Sequence, residues 1–179
     1  MKYSGRFSKA RRTQLNMAKK NTIYDILVKD IKGVDIRMDA FKGKKIIIMN
    51  VASKCGFTSQ YSNWEDFYLR NNDKIVILGF PSNDFGNQEL DTNTQIESFC
   101  VSNYGITFPM FEKISVIGFD KHSLYEWLTN KKLNGWNTQE PVWNFCKYLI
   151  NEKGDLQCFF TPDITPCDDT FLNKIFPSK

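Results

Sequence analysis

The chain has 179 residues, of which 41% are apolar and 25% charged, a composition typical of a globular protein with a single core. No apolar run approaches the roughly 20 residues that a membrane-spanning helix needs, so the sequence argues against an integral membrane protein. The net charge of +4 is unevenly distributed.

The basic character belongs to the first 20 residues. Seven of the 24 basic residues and none of the 20 acidic residues lie there, so the rest of the chain carries 17 basic and 20 acidic residues, a net charge of −3. This balance gives no support for nucleic-acid binding by the body of the protein. The tail is either a disordered arm or a targeting segment. We therefore expect a cytoplasmic protein, or alternatively a mitochondrial or other organellar one.

Apolar runs and periodicity predict the elements that follow the tail. In chain order they are strand 22–28, a turn at 30–33 with a second short strand, strand 45–52, helix 58–71, strand 74–80, loop 81–90, helix 91–104 capped by Asp91 or Thr92, extended segment 107–111, a helix from 123, strand 142–151, strand 156–161 and helix 168–176. This order predicts an α/β domain over residues 21–179, in which helices flank a mixed central sheet.

Cysteine and histidine usage limits the possible chemistry. The five cysteines are widely spaced and form no C-x-x-C pair, which argues against a zinc site or a disulfide-stapled domain. The single histidine, His122, lies near charged residues and is expected on the surface. We therefore expect no metal, no cofactor, and a catalytic site that does not need an imidazole.

Cys55 lies in NVASKCGFTSQ, between a buried strand and a predicted helix. An ordinary cysteine has a pKa near 8.5, so little of it is thiolate at neutral pH. The unpaired N–H groups in the first turn of a helix favour a nearby anion, and here they would favour the thiolate form of Cys55. From its position alone, Cys55 is either a reactive thiol or a small packing residue.

Four segments together resemble the glutathione peroxidase family: NVASKCGFTSQY, GFPSNDFGNQE, FPMFEKI and WNFCKYLI. They occur in the family's order and spacing, and the resemblance extends from about Thr22 to the end of the chain. It implies a thioredoxin-like fold. It also implies a peroxidase that reduces hydrogen peroxide and organic or lipid hydroperoxides with Cys55 as the peroxidatic residue.

The resemblance also assigns partners to Cys55. The family's active-site tetrad corresponds here to Cys55, Gln88, Trp143 and Asn144. Two amides and an indole N–H can donate hydrogen bonds to sulfur, stabilising a thiolate and orienting a peroxide.

A second thiol is expected to reset the site. Peroxide attack leaves a sulfenic acid, which condenses with another thiol. In the family branch that uses thioredoxin-like reductants, the resolving cysteine lies at the position of Cys100. Cys100 is expected on the inner, buried face of helix 91–104. Because a disulfide needs Cα atoms within about 7 Å of each other, this helix would have to unwind locally before Cys100 could bond to Cys55.

The chain lacks the long insertion that tetrameric, glutathione-using members of the family carry after residues 114–118, a feature that also favours the thioredoxin-using branch. This resemblance implies a monomer with an open site, which would accept lipid hydroperoxides at membranes and a protein reductant. Three positions depart from the family pattern. Asp84 places a carboxylate near the expected site, Leu90 replaces a usual proline, and Cys146 replaces a usual Thr or Ser.

Three alternatives remain open at this stage. Glutathione, rather than thioredoxin or a similar dithiol protein, could reduce Cys55. The same thiol chemistry could pass a disulfide to a target protein in a peroxide sensor. A thioredoxin-fold binding module with an inert Cys55 would be a non-enzymatic alternative.

Overall fold

A computed structural model describes residues 22–177 of the protein, so the predicted basic tail at 1–20 lies outside the described residues. The strands are β1 (Leu27–Lys29), β2 (Asp35–Arg37), β3 (Lys45–Val51), β4 (Ile75–Pro81), β5 (Lys147–Ile150) and β6 (Leu156–Phe160). The helices are α1 (Gln60–Asn71), α2 (Asn93–Tyr104), α3 (Ser123–Thr129), α4 (Lys131–Asn134) and α5 (Asp169–Ile175), with 3-10 turns at Ile23–Asp25 and Met38–Phe41.

The main sheet has four strands in the order β4-β3-β5-β6. Strands β3 and β4 are parallel, joined through α1, whereas β5 runs antiparallel to both β3 and β6. Strands β1 and β2 form a separate antiparallel pair. The predicted mixed sheet with flanking helices is therefore confirmed.

Strand β3 is buried on both faces, which explains its almost continuous apolar sequence. Ile47 and Met49 pack on one side, in a core that also contains apolar residues of α1, α2 and α5. Ile46 and Ile48 pack on the other side, in a core that includes α3. The alternation follows from the two-residue period of a strand.

Helix α2 has well-defined ends. Of its two predicted caps, Thr92 is the one used: its side chain accepts a hydrogen bond from Gln95 N–H, and the Gln95 side chain accepts one from Thr92 N–H. Gly105 ends the helix with a φ of 61°, a left-handed conformation that glycine adopts without strain.

Two predicted strands begin later than expected. At residues 22–28, Thr22 and Asp25 instead form a capping box on a 3-10 turn, and β1 starts at Leu27. The strand predicted over 142–151 starts only at Lys147, because Phe145 has a φ of 65°, outside the range of a strand. The Trp143–Asn144 pair therefore lies in a loop.

Within residues 22–177, no helix combines the length and apolar character needed to cross a bilayer. The same region contains no cluster of three His, Cys, Asp or Glu residues able to hold a metal ion.

Candidate active site

Cys55 lies in a compact turn between β3 and α1. The hydroxyl of Thr58 accepts a hydrogen bond from Cys55 N–H at 2.9 Å and donates one to the carbonyl of Ala52 at 2.8 Å. Phe57 N–H donates to the Cys55 Sγ at 3.4 Å. The turn thus directs a backbone donor at the sulfur, and Cys55 as a whole residue is 9% exposed.

The loop carrying Gln88 is hydrogen-bonded to this turn. Lys54 N–H donates to the Gln88 carbonyl at 2.9 Å, and Ser53 N–H donates to Oε1 of Glu89 at 3.1 Å. Gly86 and Asn87 both have positive φ, which turns the chain sharply before Gln88. The two residues that precede Cys55 therefore fix the position of the Gln88 loop.

Asn50, near the end of β3, holds the Trp143–Asn144 loop. Its Nδ2 donates to the Trp143 carbonyl at 2.9 Å, and its Oδ1 accepts from Cys146 N–H at 3.1 Å. Its backbone carbonyl also accepts from Phe145 N–H. These bonds replace a regular strand ladder and explain why β5 starts only at Lys147.

The donors predicted around the sulfur are partly brought together. Asn144 is fully buried and donates from Nδ2 to Oε1 of Gln88 at 3.1 Å. The Trp143 ring is 38% exposed and lies 5.6 Å from the ring of Phe85, between centroids. Among the described residues, Phe57 N–H is the one hydrogen-bond donor to the Cys55 Sγ. The roles of Gln88, Trp143 and Asn144 therefore stay predictions.

Cys100 lies in the same core cluster as Cys55, and both thiols are free. It is 1% exposed, as its position on α2 predicts. Burial raises the pKa of Cys100 to about 11, although Tyr61 acts to lower it. The Tyr61 hydroxyl thus lies near the thiol, but it has no partner of regular hydrogen-bond geometry.

The departures from the family pattern have local explanations. The Asp84 carboxylate accepts hydrogen bonds from Ser115 Oγ, Val116 N–H and Ile117 N–H, so it anchors the 115–117 loop. Cys146 is fully buried. The Leu90 N–H donates to Glu89 Oε1 at 2.7 Å, a bond that proline could not make.

His122 is half-buried rather than freely exposed as predicted. Its Nδ1 accepts a hydrogen bond from Leu124 N–H and caps α3, and burial lowers its pKa. The capping bond joins His122 only to Leu124, two residues further along, and the polar residues around His122 are those of a surface segment. The partial burial of the imidazole could therefore not be predicted from the local sequence.

Sequence reasoning missed three residues that shape this site: Asn50, Thr58 and Glu89. Of these three, only Thr58 could have been predicted from the local sequence, because the hydroxyl of a threonine three residues after a cysteine can accept a hydrogen bond from the cysteine N–H. Asn50 and Glu89 act on residues that lie far away in sequence, which no local pattern predicts.

The sequence profile of the glutathione peroxidase family matches residues 23–129. The chain belongs to the glutathione peroxidase family. A family relative, the glutathione peroxidase-like peroxiredoxin 2 of Saccharomyces cerevisiae, is 46% identical over 134 residues, which cover 74% of this chain and 83% of the relative. The predicted family and the predicted enzyme class, a peroxidase, are therefore confirmed.

Solved structures confirm the fold. The crystal structure of Trgpx in its apo form superposes with a TM-score of 0.66 at 33% identity, covering 87% of this chain and 95% of that one. A secreted Mycobacterium tuberculosis disulfide oxidoreductase, homologous to E. coli DsbE, is 14% identical and shares the fold alone, with a TM-score of 0.56 over 85% of this chain and 95% of that one. The glutathione peroxidase fold of this chain is thus thioredoxin-like.

Proposed function

We propose that the protein reduces hydrogen peroxide and organic or lipid hydroperoxides with Cys55, resolves the product with Cys100, and is recycled by thioredoxin or a similar dithiol protein. The observation that carries the proposal is the Cys55 turn. It leaves Cys55, as a whole residue, 9% exposed, directs a backbone N–H at its sulfur, and is hydrogen-bonded to the loop that carries Gln88.

The first step needs only the thiolate and hydrogen-bond donors. The Cys55 sulfur attacks one peroxide oxygen, the O–O bond breaks, and the other oxygen leaves as water or an alcohol after gaining a proton. Gln88 has its Nε2 available as a donor, because its Oε1 is occupied by Asn144. Trp143, a residue that is 38% exposed, offers its indole N–H as a second donor for the peroxide oxygens.

The second step forms a disulfide. The Cys100 sulfur attacks the sulfenic sulfur of Cys55, and the sulfenic oxygen leaves as water. The dithiol reductant then restores both thiols and becomes a disulfide itself. The name of the yeast relative, which includes the word peroxiredoxin, supports thiol-based recycling of this kind.

Opening of α2 is the conformational requirement of this cycle. Cys100 is fully enclosed in the reduced protein, and its raised pKa keeps it protonated until it moves. Helix α2 contains Asn93, Thr94 and Ser98, which are weak helix formers, so local unwinding is easier than in an average helix.

The decisive test compares Cys100→Ser with Cys146→Ser, which removes another buried thiol. With thioredoxin as reductant, we expect Cys100→Ser to lose at least 90% of steady-state peroxide turnover. Cys146→Ser should keep most of it. Disulfide mapping after one equivalent of peroxide should find the Cys55–Cys100 bond in the wild type.

The burial of Cys100 favours one second candidate, direct reduction of the Cys55 sulfenic acid by glutathione. In that case Cys100→Ser would turn over normally with glutathione, and the wild type would show no internal disulfide. A mixed-disulfide trap with Cys100→Ser separates a third case, a peroxide sensor, because the captured protein would then be a regulator rather than a reductant.

We further propose a monomer that meets lipid hydroperoxides at membrane surfaces. Val142 is 62% exposed beside Trp143, which supports an apolar rim at the site entrance. Sedimentation at micromolar concentration tests the monomer, and turnover of a phospholipid hydroperoxide in vesicles tests the substrate. A cytoplasmic or organellar location stays a prediction, which imaging of the full chain with and without residues 1–20 would test.

A further inference from the structure

Glu89 is a buried carboxyl group with one oxygen unused. It is 2% exposed, and its Oε1 accepts hydrogen bonds from Ser53 N–H at 3.1 Å and Leu90 N–H at 2.7 Å. Its Oε2 has no partner of regular hydrogen-bond geometry, although the Ser53 hydroxyl lies close enough to act on the carboxyl group and lower its pKa. An unsatisfied buried carboxylate oxygen is costly, so its retention needs an explanation.

The carboxyl group lies between the surroundings of the two sulfurs. Through Ser53 it is bonded to the turn that carries Cys55, two residues further along. It is also near enough to Cys100 and Tyr61 for its charge to raise the pKa of both groups. Helix α2, which carries Cys100, begins only four residues after Glu89.

The charges and protonation states of the groups around Glu89 allow its carboxylate to accept a proton. Tyr61 and Cys100 are themselves protonated, since burial raises the pKa of each. Burial has the largest effect on Glu89 and raises its pKa, which makes the carboxylate a better base than an exposed one. Hydrogen bonds from Ser53 and Leu90 lower this pKa, and the charge of Lys113, whose ammonium donates to the carbonyls of Leu90 and Asp91, has a smaller effect in the same direction.

We propose that Glu89 is the proton acceptor of the resolving step. As the Cys100 sulfur attacks the sulfenic sulfur of Cys55, the S–H proton passes to Oε2 of Glu89. The sulfur–oxygen bond breaks, and the oxygen leaves as water after taking that proton back from Glu89. The step forms one disulfide and one water with no net proton change, and it rests on the proposed role of Cys100.

The test uses Glu89→Gln, which keeps an oxygen for the Ser53 and Leu90 N–H groups but cannot accept a proton. Reduced protein is mixed with one equivalent of hydrogen peroxide, and samples are quenched with a sulfenic-acid probe. We expect disulfide formation to slow at least tenfold and the Cys55 sulfenic acid to accumulate. In the wild type, the rate of disulfide formation should fall as pH drops through the raised Glu89 pKa. This decrease is the acid limb of the pH–rate profile, and it should be absent in the variant.

Two further variants separate proton transfer from a purely structural role. Glu89→Asp restores a carboxylate and should recover part of the rate and the acid limb. Leu90→Pro removes one donor to the carboxylate, which should raise the Glu89 pKa and shift the limb to higher pH.

Glu65→Gln is the matched control. Glu65 is also buried, but it accepts hydrogen bonds from Thr107 N–H and Oγ1, away from the Cys55 turn. It should leave disulfide formation and its pH profile unchanged.

Disulfide formation at the wild-type rate and pH profile in a folded Glu89→Gln protein would overturn the inference. Equal slowing of sulfenic acid and disulfide formation would also overturn it, since the carboxyl group would then only hold the Cys55 turn. If the wild type itself formed no Cys55–Cys100 disulfide, the proposed function would fail at an earlier point, and this inference with it.

Discussion

Asn144 donates a hydrogen bond to Oε1 of Gln88 at 3.1 Å, joining two loops that lie 56 residues apart. Because the Gln88 oxygen is occupied, its Nε2 is left as the donor for another group. Asn144 itself is fully buried. The arrangement favours Asn144 as the residue that orients Gln88, and Gln88 as the residue that meets the peroxide.

This relationship predicts non-additive mutant effects. Gln88→Ala should slow the oxidation of Cys55 by peroxide about 10- to 100-fold, since it removes a donor to the developing charge, and Asn144→Ala should give a similar loss. The double variant should be no more than a few-fold slower than the worse single variant, because both changes remove one unit. Stopped-flow oxidation of the three variants measures this. Multiplicative losses would show that the two amides act independently.

The Thr58 hydroxyl should control the geometry of the Cys55 turn. Thr58→Val keeps the side-chain shape but removes the acceptor for Cys55 N–H and the donor to Ala52. We expect a loss of about 1–3 kcal/mol in the free energy of unfolding, because Cys55 N–H is left unpaired, together with slower peroxide oxidation. Thr58→Ser keeps the hydroxyl and is the control. Urea unfolding measures the stability of both variants, and stopped-flow mixing measures their oxidation by peroxide. Equal stabilities and equal oxidation rates for Thr58→Val and Thr58→Ser would contradict the prediction.

Weakening the α2 cap should speed the resolving step. Thr92→Ala removes the capping box and should destabilise α2 by about 1 kcal/mol. If α2 must unwind before Cys100 reaches Cys55, disulfide formation should accelerate up to about fivefold for that free energy. Asn130→Ala removes the cap of α4 and is the control, with no expected change. An unchanged or slower rate in Thr92→Ala would argue against unwinding from this end.

Lys147 should make stability depend on pH. Its buried ammonium donates to Gln60 Oε1 at 3.1 Å and to the Pro162 and Ile164 carbonyls at 3.0 and 2.6 Å. Burial lowers the pKa of Lys147 to about 7, below its ordinary value of 10.5. The unfolded chain therefore binds more protons between these two pH values, and the contribution of Lys147 to stability rises as pH increases through that range.

The measurement is urea unfolding of the wild type and Lys147→Met at several values between pH 6 and pH 9.5. The stability difference should shift in favour of the wild type as pH rises above 7. Lys45→Met is the control, because the Lys45 ammonium also donates to a carbonyl, that of Ile175, but lies near the surface. A difference independent of pH would mean that the Lys147 ammonium stays charged throughout.

Local patterns allowed much of the fold to be predicted. The β-branched run at Ile46–Ile48, the aromatic spacing of α1 and a cap at Asp91 or Thr92 depend on neighbouring residues, so they can be predicted before the chain is folded. The structure then selected Thr92. Prediction failed at Phe145, where the apolar pattern of a strand continued into a loop held by Asn50. A distant amide overrode the local preference there.

The sequence by itself determined the family, the peroxidase class and the position of Cys55 between a strand and a helix, because short motifs and periodicity carry that information. Only the tertiary structure decided which groups meet around that cysteine: Asn50 with the Trp143 loop, Asn144 with Gln88, and Glu89 with Ser53. Each of these pairs joins residues 36 or more positions apart. Their encounter depends on the order of strands in the sheet and on burial, which together bring distant polar groups close enough to bond.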